Sequence, residues 1–112
     1  MSADTVAGIP VDDQLLVNYF NSLVDRFFKI VPIREENDET LPVYMHSLQV
    51  ELMGCCGFIP ELSEDSSYLT LLSILQYLIE HPECDFKMVR REAFRAIGIC
   101  KQLKRAYAKR GC

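Results

Sequence analysis

Apolar residues return at intervals of three and four in four stretches of this 112-residue chain, and the residues between those stretches are ones that start or stop helices. The first stripe is Leu16, Phe20, Leu23, Val24, Phe27, Phe28 and Val31, with Asp12 or Asp13 available as its cap. Pro32 is expected to end it, because the proline ring clashes with the preceding turn and biases Val31 away from helical angles. The following "IREENDET" reads as an acidic connector. Thr40 is placed to cap a second helix, with Pro42 tolerated in the first turn and Leu41, Tyr44, Met45, Leu48, Leu52 and Cys55 as its buried line. Gly57 and Pro60 are expected to close it.

Asp65, Ser66 or Ser67 can cap a third segment, "YLTLLSILQYLIE", whose polar positions are only Thr70, Ser73, Gln76 and Glu80. Such a pattern predicts a central helix packed on several sides. His81-Pro82 stops it, and Asp85 can cap a fourth helix from about Phe86 to Ala108. Its core face is Phe86, Val89, Ala93, Ile97, Cys100, Leu103 and Tyr107. No stretch alternates with period two and no hairpin turn of the Asn-Gly type occurs, so no sheet is expected. The prediction is an all-α, single-domain four-helix bundle over residues 12–110, behind a flexible N-terminal tail over residues 1–11.

Composition agrees with a soluble globular domain: 49% hydrophobic, 25% charged, and a mean hydropathy of +0.04. There is no apolar run of about 18 residues, and the opening "MSADTVAGIPVDD" has neither a basic nor an apolar leader region, so a cytoplasmic protein with no membrane contact is expected. Cys55, Cys56, Cys84, Cys100 and Cys112 make an odd number with no C-x-x-C pair, which fits reduced thiols and disfavours a disulfide framework. Cys55, Cys56, His81 and Cys84 together would suit a metal only if adjacent cysteines could point the same way, which a regular backbone prevents; buried structural thiols are expected, and no metal site.

Catalytic patterns are missing. The chain holds no G-x-G-x-x-G, no P-loop, no H-E-x-x-H and no G-x-S-x-G. His46 could approach Glu51 or a cysteine, but nothing around it gives the context of a nucleophilic pair, so a surface or core histidine is expected. Glu35, Glu36, Asp38 and Glu39 lack the alternation and central glycine of a calcium loop and read as a solvated connector. No enzyme activity, cofactor or small-molecule substrate is predicted.

The stretches "FFKIVPIREENDETLPVYMHSLQVELMGC" and "YLTLLSILQYLIEHPEC" resemble small uncharacterised helical proteins encoded in prophages and mobile elements of Gram-positive gut bacteria. The resemblance covers somewhat less than half of the chain. It implies a setting, and no activity or residue role comes with it.

Charge layout is the strongest functional signal. Residues 1–85 hold three basic and fifteen acidic side chains, a net of −12, whereas residues 86–112 hold nine basic and one acidic, a net of +8, within a chain of net charge −4. At 100° per residue, Lys87, Arg90, Arg91, Arg95, Lys101, Lys104, Arg105 and Lys109 fall on the half of the last helix opposite its core stripe, with Phe94 and Ala108 among them. Lysines and arginines of this kind can simply solvate an outer face. They can also dock an acidic protein surface, on a partner or a second copy, with Phe94 as an apolar anchor. A basic stripe with an interleaved aromatic suits nucleic acid as well, although a pI near 5.1 opposes it through long-range repulsion of phosphate. The expected site is therefore a protein-binding face of Lys87, Arg90, Arg91, Phe94, Arg95, Lys101, Lys104 and Arg105, with a nucleic-acid accessory role as the alternative.

Overall fold

The computed structural model describes the backbone of residues 5–6, 9–10, 13–37 and 39–110, and the side chains of residues 13–37 and 39–109. Asp12 and Asp38, named above as a cap and as part of the acidic connector, lie outside the described residues, as does Cys112. The fold is all-α. Five helices follow one another: α1 Asp13–Phe28, α2 Ile30–Glu35, α3 Leu41–Phe58, α4 Ser66–Glu80 and α5 Phe86–Arg110, with a 3-10 turn Pro60–Glu64 before α4. The expectation of no sheet is corrected only in the N-terminal segment, where Thr5–Val6 (β1) and Ile9–Pro10 (β2) form a two-residue antiparallel ladder.

Pro32 does not end the first helix. The chain breaks earlier, at Lys29, and Pro32 stands third in α2. A proline ring collides with the carbonyl four residues back, here Phe28, so the break falls where that collision would occur, while the first turn of α2 needs no N–H from Pro32. Asn37 then stops α2 with φ 53°, a left-handed conformation asparagine tolerates better than branched residues, and its side-chain oxygen accepts a 2.8 Å bond from Arg34. The acidic connector is thus partly helical. Gly57 does not close α3, which continues to Phe58; Pro60 begins the 3-10 turn.

Caps occur where the residue types allow them. Asp65 Oδ1 accepts from the N–H groups of Ser67 (2.9 Å) and Tyr68 (3.1 Å), and Asp85 Oδ1 from that of Met88 (2.9 Å). Thr40 takes the N-cap of α3 in helical rather than extended angles.

α1 runs antiparallel to α5, as the pairs Asn21–Lys104 and Phe28–Phe94 show, and this is the most extensive packing in the molecule. α4 packs on both α5 and α3; the buried Tyr68 hydroxyl donates to the Leu52 carbonyl of α3 at 2.8 Å. Phe20, Tyr68 and Tyr107 meet in the core, with Phe20 ring centroids 6.4 and 5.2 Å from the other two. As expected, α4 packs on several sides, against α3, α5 and the 3-10 turn, but α5, the longest element, packs against α1, α2 and α4 and has the most extensive contacts, and α4 leaves Leu69 and Tyr77 exposed as well as its polar seam. A correction concerns Phe28, which lies at the edge of its stripe and is 49% exposed rather than buried.

Candidate functional site

Helix α5 divides as its sequence predicts. Val89, Ala93, Ala96, Ile97, Cys100, Leu103 and Tyr107 are buried, while Lys87, Arg90, Arg91, Phe94, Arg95, Lys101 and Arg105 are exposed and Lys104 is half-buried. Phe86, expected in the core, is only half-buried. The eight predicted site residues therefore share one side of one helix, but the structure sorts them into three groups.

At the N-terminal end, Phe86, Lys87, Arg90, Arg91 and Phe94 line an open depression of about 570 Å³. The Arg90 guanidinium lies 5.2 Å from the centre of the Phe94 ring, a cation–π arrangement, and Phe94 meets the edge of Phe28 with centroids 6.0 Å apart. Phe94 is 41% exposed, so the two phenyl rings form a small apolar ridge flanked by cations. In the middle of the helix, Arg95 bonds the Glu92 carboxylate at 3.1 Å and the Arg91 Nε approaches it at 3.5 Å; Arg91 also donates to the Met88 sulfur at 3.2 Å. Toward the C-terminal end, Lys104 donates to Asn21 of α1 at 3.1 Å. Among the described residues, Lys87, Arg90, Lys101 and Arg105 have no acidic side chain within ion-pair distance. Phe28 is the functional candidate that the sequence pattern misses, and its only signal there is its place at the rim of the α1 stripe.

Other clusters have structural explanations. Glu51 of α3 accepts hydrogen bonds from the Tyr19 hydroxyl (2.8 Å) and from Arg26, and Tyr44 donates to the Arg26 carbonyl at 2.7 Å, which ties α3 to α1. The Arg26 guanidinium holds the Glu51 carboxyl below its ordinary value, and burial pushes the Tyr19 hydroxyl up. Burial raises Cys56 and Cys84 and pushes Cys100 up to about 12, so these thiols stay protonated and poorly nucleophilic. Among the described residues no three His, Cys, Asp or Glu side chains converge as metal ligands. His46 is exposed on α3, and the Glu51 carboxylate is engaged by Tyr19 and Arg26. A second depression, about 410 Å³, is lined by Leu41, Met45, Leu78 and Val89 together with Arg34 and His81. Arg34 there is already bonded to Asn37 and to the Cys84 carbonyl (3.1 Å).

No described helix is long and apolar enough to cross a membrane. No family model matches the chain, and neither a curated protein nor a solved structure matches it.

Proposed function

We propose that this protein is a non-enzymatic interaction module that docks an acidic protein surface on the basic face of α5. The scaffold we infer is an antiparallel four-helix bundle over residues 12–110, working in the cytoplasm. A prophage or mobile-element setting, suggested by the sequence resemblance, would make it an adaptor, inhibitor or assembly component. The observation that carries the reading is the half-exposed Phe28–Phe94 pair with Arg90 stacked on it, in a depression that Lys87 and Arg91 also line. A desolvatable aromatic centre inside a charged border is the arrangement of an interface: the border steers encounter and the centre slows dissociation.

Nucleic acid is the second reading, favoured by the run of basic residues along one side of α5 and opposed by the acidity of the remainder. Two measurements separate them. Under the protein-docking reading, random-sequence oligonucleotides bind weakly even at low salt. Proteins captured from a cell lysate by the wild type are lost with Lys87→Glu/Arg90→Glu, and Phe94→Ala weakens their binding by about 1–3 kcal/mol. Tight oligonucleotide binding that falls steeply with salt and ignores Phe94→Ala would refute it.

A further inference from the structure

Helix α3 is apolar on both sides. Its inner side buries Leu41, Met45, Leu48 and Leu52. Its outer side exposes Val43 (68%), Val50 (54%) and Met53 (57%), with His46, Ser47, Gly54 and Gly57 between them, all exposed. The helix has a single charged residue, Glu51, and that carboxylate faces Tyr19 and Arg26 of α1. Outer faces of helices in soluble domains are ordinarily charged, as α5 of this chain is. The two glycines are equally unexplained within the chain: glycine weakens a helix, yet a Cβ at Gly54 or Gly57 would meet nothing within 4 Å.

Both features make sense if another helix lies on this face. Val43, His46, Val50, Met53 and Gly57 alternate at spacings of three and four, the seam that knobs-into-holes packing requires. When a second α3 is laid antiparallel about a two-fold axis through Val50, Val43 meets Gly57, His46 meets Gly54, Met53 meets Ser47, and Val50 meets its own copy. Apart from Val50, which meets itself on the axis, each larger side chain falls opposite a small one, and no like charges face each other. An antiparallel pair also sets opposite helix-dipole ends side by side. The neutral surface continues onto α4, which joins α3 through a Gln49–Gln76 bond of 2.6 Å. Leu69 and Ser73 share the Gln76 side of α4, and the one charge on that helix, Glu80, ends the same side.

We propose that the outer face of α3 is the interface of an isologous dimer, a second copy docking antiparallel about an axis through Val50. The α5 face cannot serve this way, since a two-fold would set its cations against themselves. The exposed parts of Val43, Val50, Met53 and Phe58 amount to roughly 400 Å² of largely apolar surface, the size of the largest patch on an ordinary monomer. That is about half of the ~800 Å² per partner in a standard interface. The polar rim on α4 can add to the contact, whose size is that of a weak association that comes and goes with concentration.

Sedimentation of the full chain from about 1 to 500 μM tests it, because mass action must convert monomer to dimer across that range. The 12.9 kDa species should give way to one of twice the mass. Val50→Glu, which sets two carboxylates together on the axis, should weaken association at least about tenfold. Met53→Glu should weaken it, and adding Ser47→Lys to the same chain should restore it, since those positions face each other only in this register. Gly54→Leu should abolish the dimer while thermal unfolding of the monomer stays the same or rises. Lys87→Glu/Arg90→Glu should leave the dimer unchanged, which keeps this test separate from that of the α5 surface. A monomer at every concentration, a dimer indifferent to Val50→Glu, or no rescue by Ser47→Lys would overturn the proposal.

Discussion

Asp65 joins two chain segments that lie far apart in sequence, and removing its carboxylate should show both roles. Its Oδ1 accepts from the N–H groups of Ser67 and Tyr68 at the start of α4, and its Oδ2 accepts from the Tyr107 hydroxyl near the end of α5 at 3.3 Å. Loss of an N-cap carboxylate costs about 1 kcal/mol, and both cap bonds here are of ordinary length. The Tyr107 bond is long for a hydroxyl donor, so it adds about 0.5 kcal/mol, the low end for a hydrogen bond. Asp65→Ala should therefore destabilise by about 1.5 kcal/mol, a drop in Tm of roughly 6–12 °C for a domain near 100 residues. Urea unfolding followed by circular dichroism reads the change as a shifted midpoint at constant slope. Tyr107→Phe alone should cost about 0.5 kcal/mol, and the double variant should cost about 0.5 kcal/mol less than the sum of the two. Asp65→Asn, which keeps a good cap, should fall well short of Asp65→Ala. A cost below about 0.3 kcal/mol for Asp65→Ala would refute the capping argument, and strict additivity would refute the contact with Tyr107.

Two further outcomes follow from the core and from the α1–α3 link. Leu75 is fully buried on α4, so Leu75→Ala should cost about 3–4 kcal/mol in the same urea assay, and a change below about 0.5 kcal/mol would place it outside the core. The Glu51 carboxyl is depressed chiefly by its bond to Arg26, so its ionised form stabilises the fold at pH values above the ordinary 4.5, and that contribution disappears as pH falls through the lower folded value. The Tm advantage of wild type over Glu51→Gln should hold steady from about pH 8 to pH 5 and shrink below that; an advantage that grows on acidification would contradict the pairing.

The four long helices and most of the core were legible because periodicity and capping are local, whereas the short α2 was read as part of a connector. The stripe of α5 came out nearly residue for residue, and Asp65 and Asp85 cap the helices they precede. Pro32 misled because a proline disrupts the turn before it, so the break at Lys29 precedes the residue that causes it. Phe28 misled because a residue at the edge of a stripe is buried or exposed according to the neighbour it meets, and its neighbour here is Phe94. The outer face of α3 was hidden for a related reason. Apolar residues on both sides of a helix read as extra burial until the fold shows that only one side has a neighbour.

The sequence by itself determined an all-α chain, the approximate ends of its long helices, and the separation of an acidic body from a basic last helix. Tertiary structure decided what those helices do to one another. It made α5 the helix with the most extensive contacts, paired Glu92 with Arg91 and Arg95 while leaving Lys87, Arg90, Lys101 and Arg105 without acidic partners among the described residues, and drew Glu51 to Arg26. The reason is physical: spacing fixes which residues share a helix face, but the neighbour of that face is chosen by contacts between residues distant in the chain, whose free energy depends on how all the faces close together.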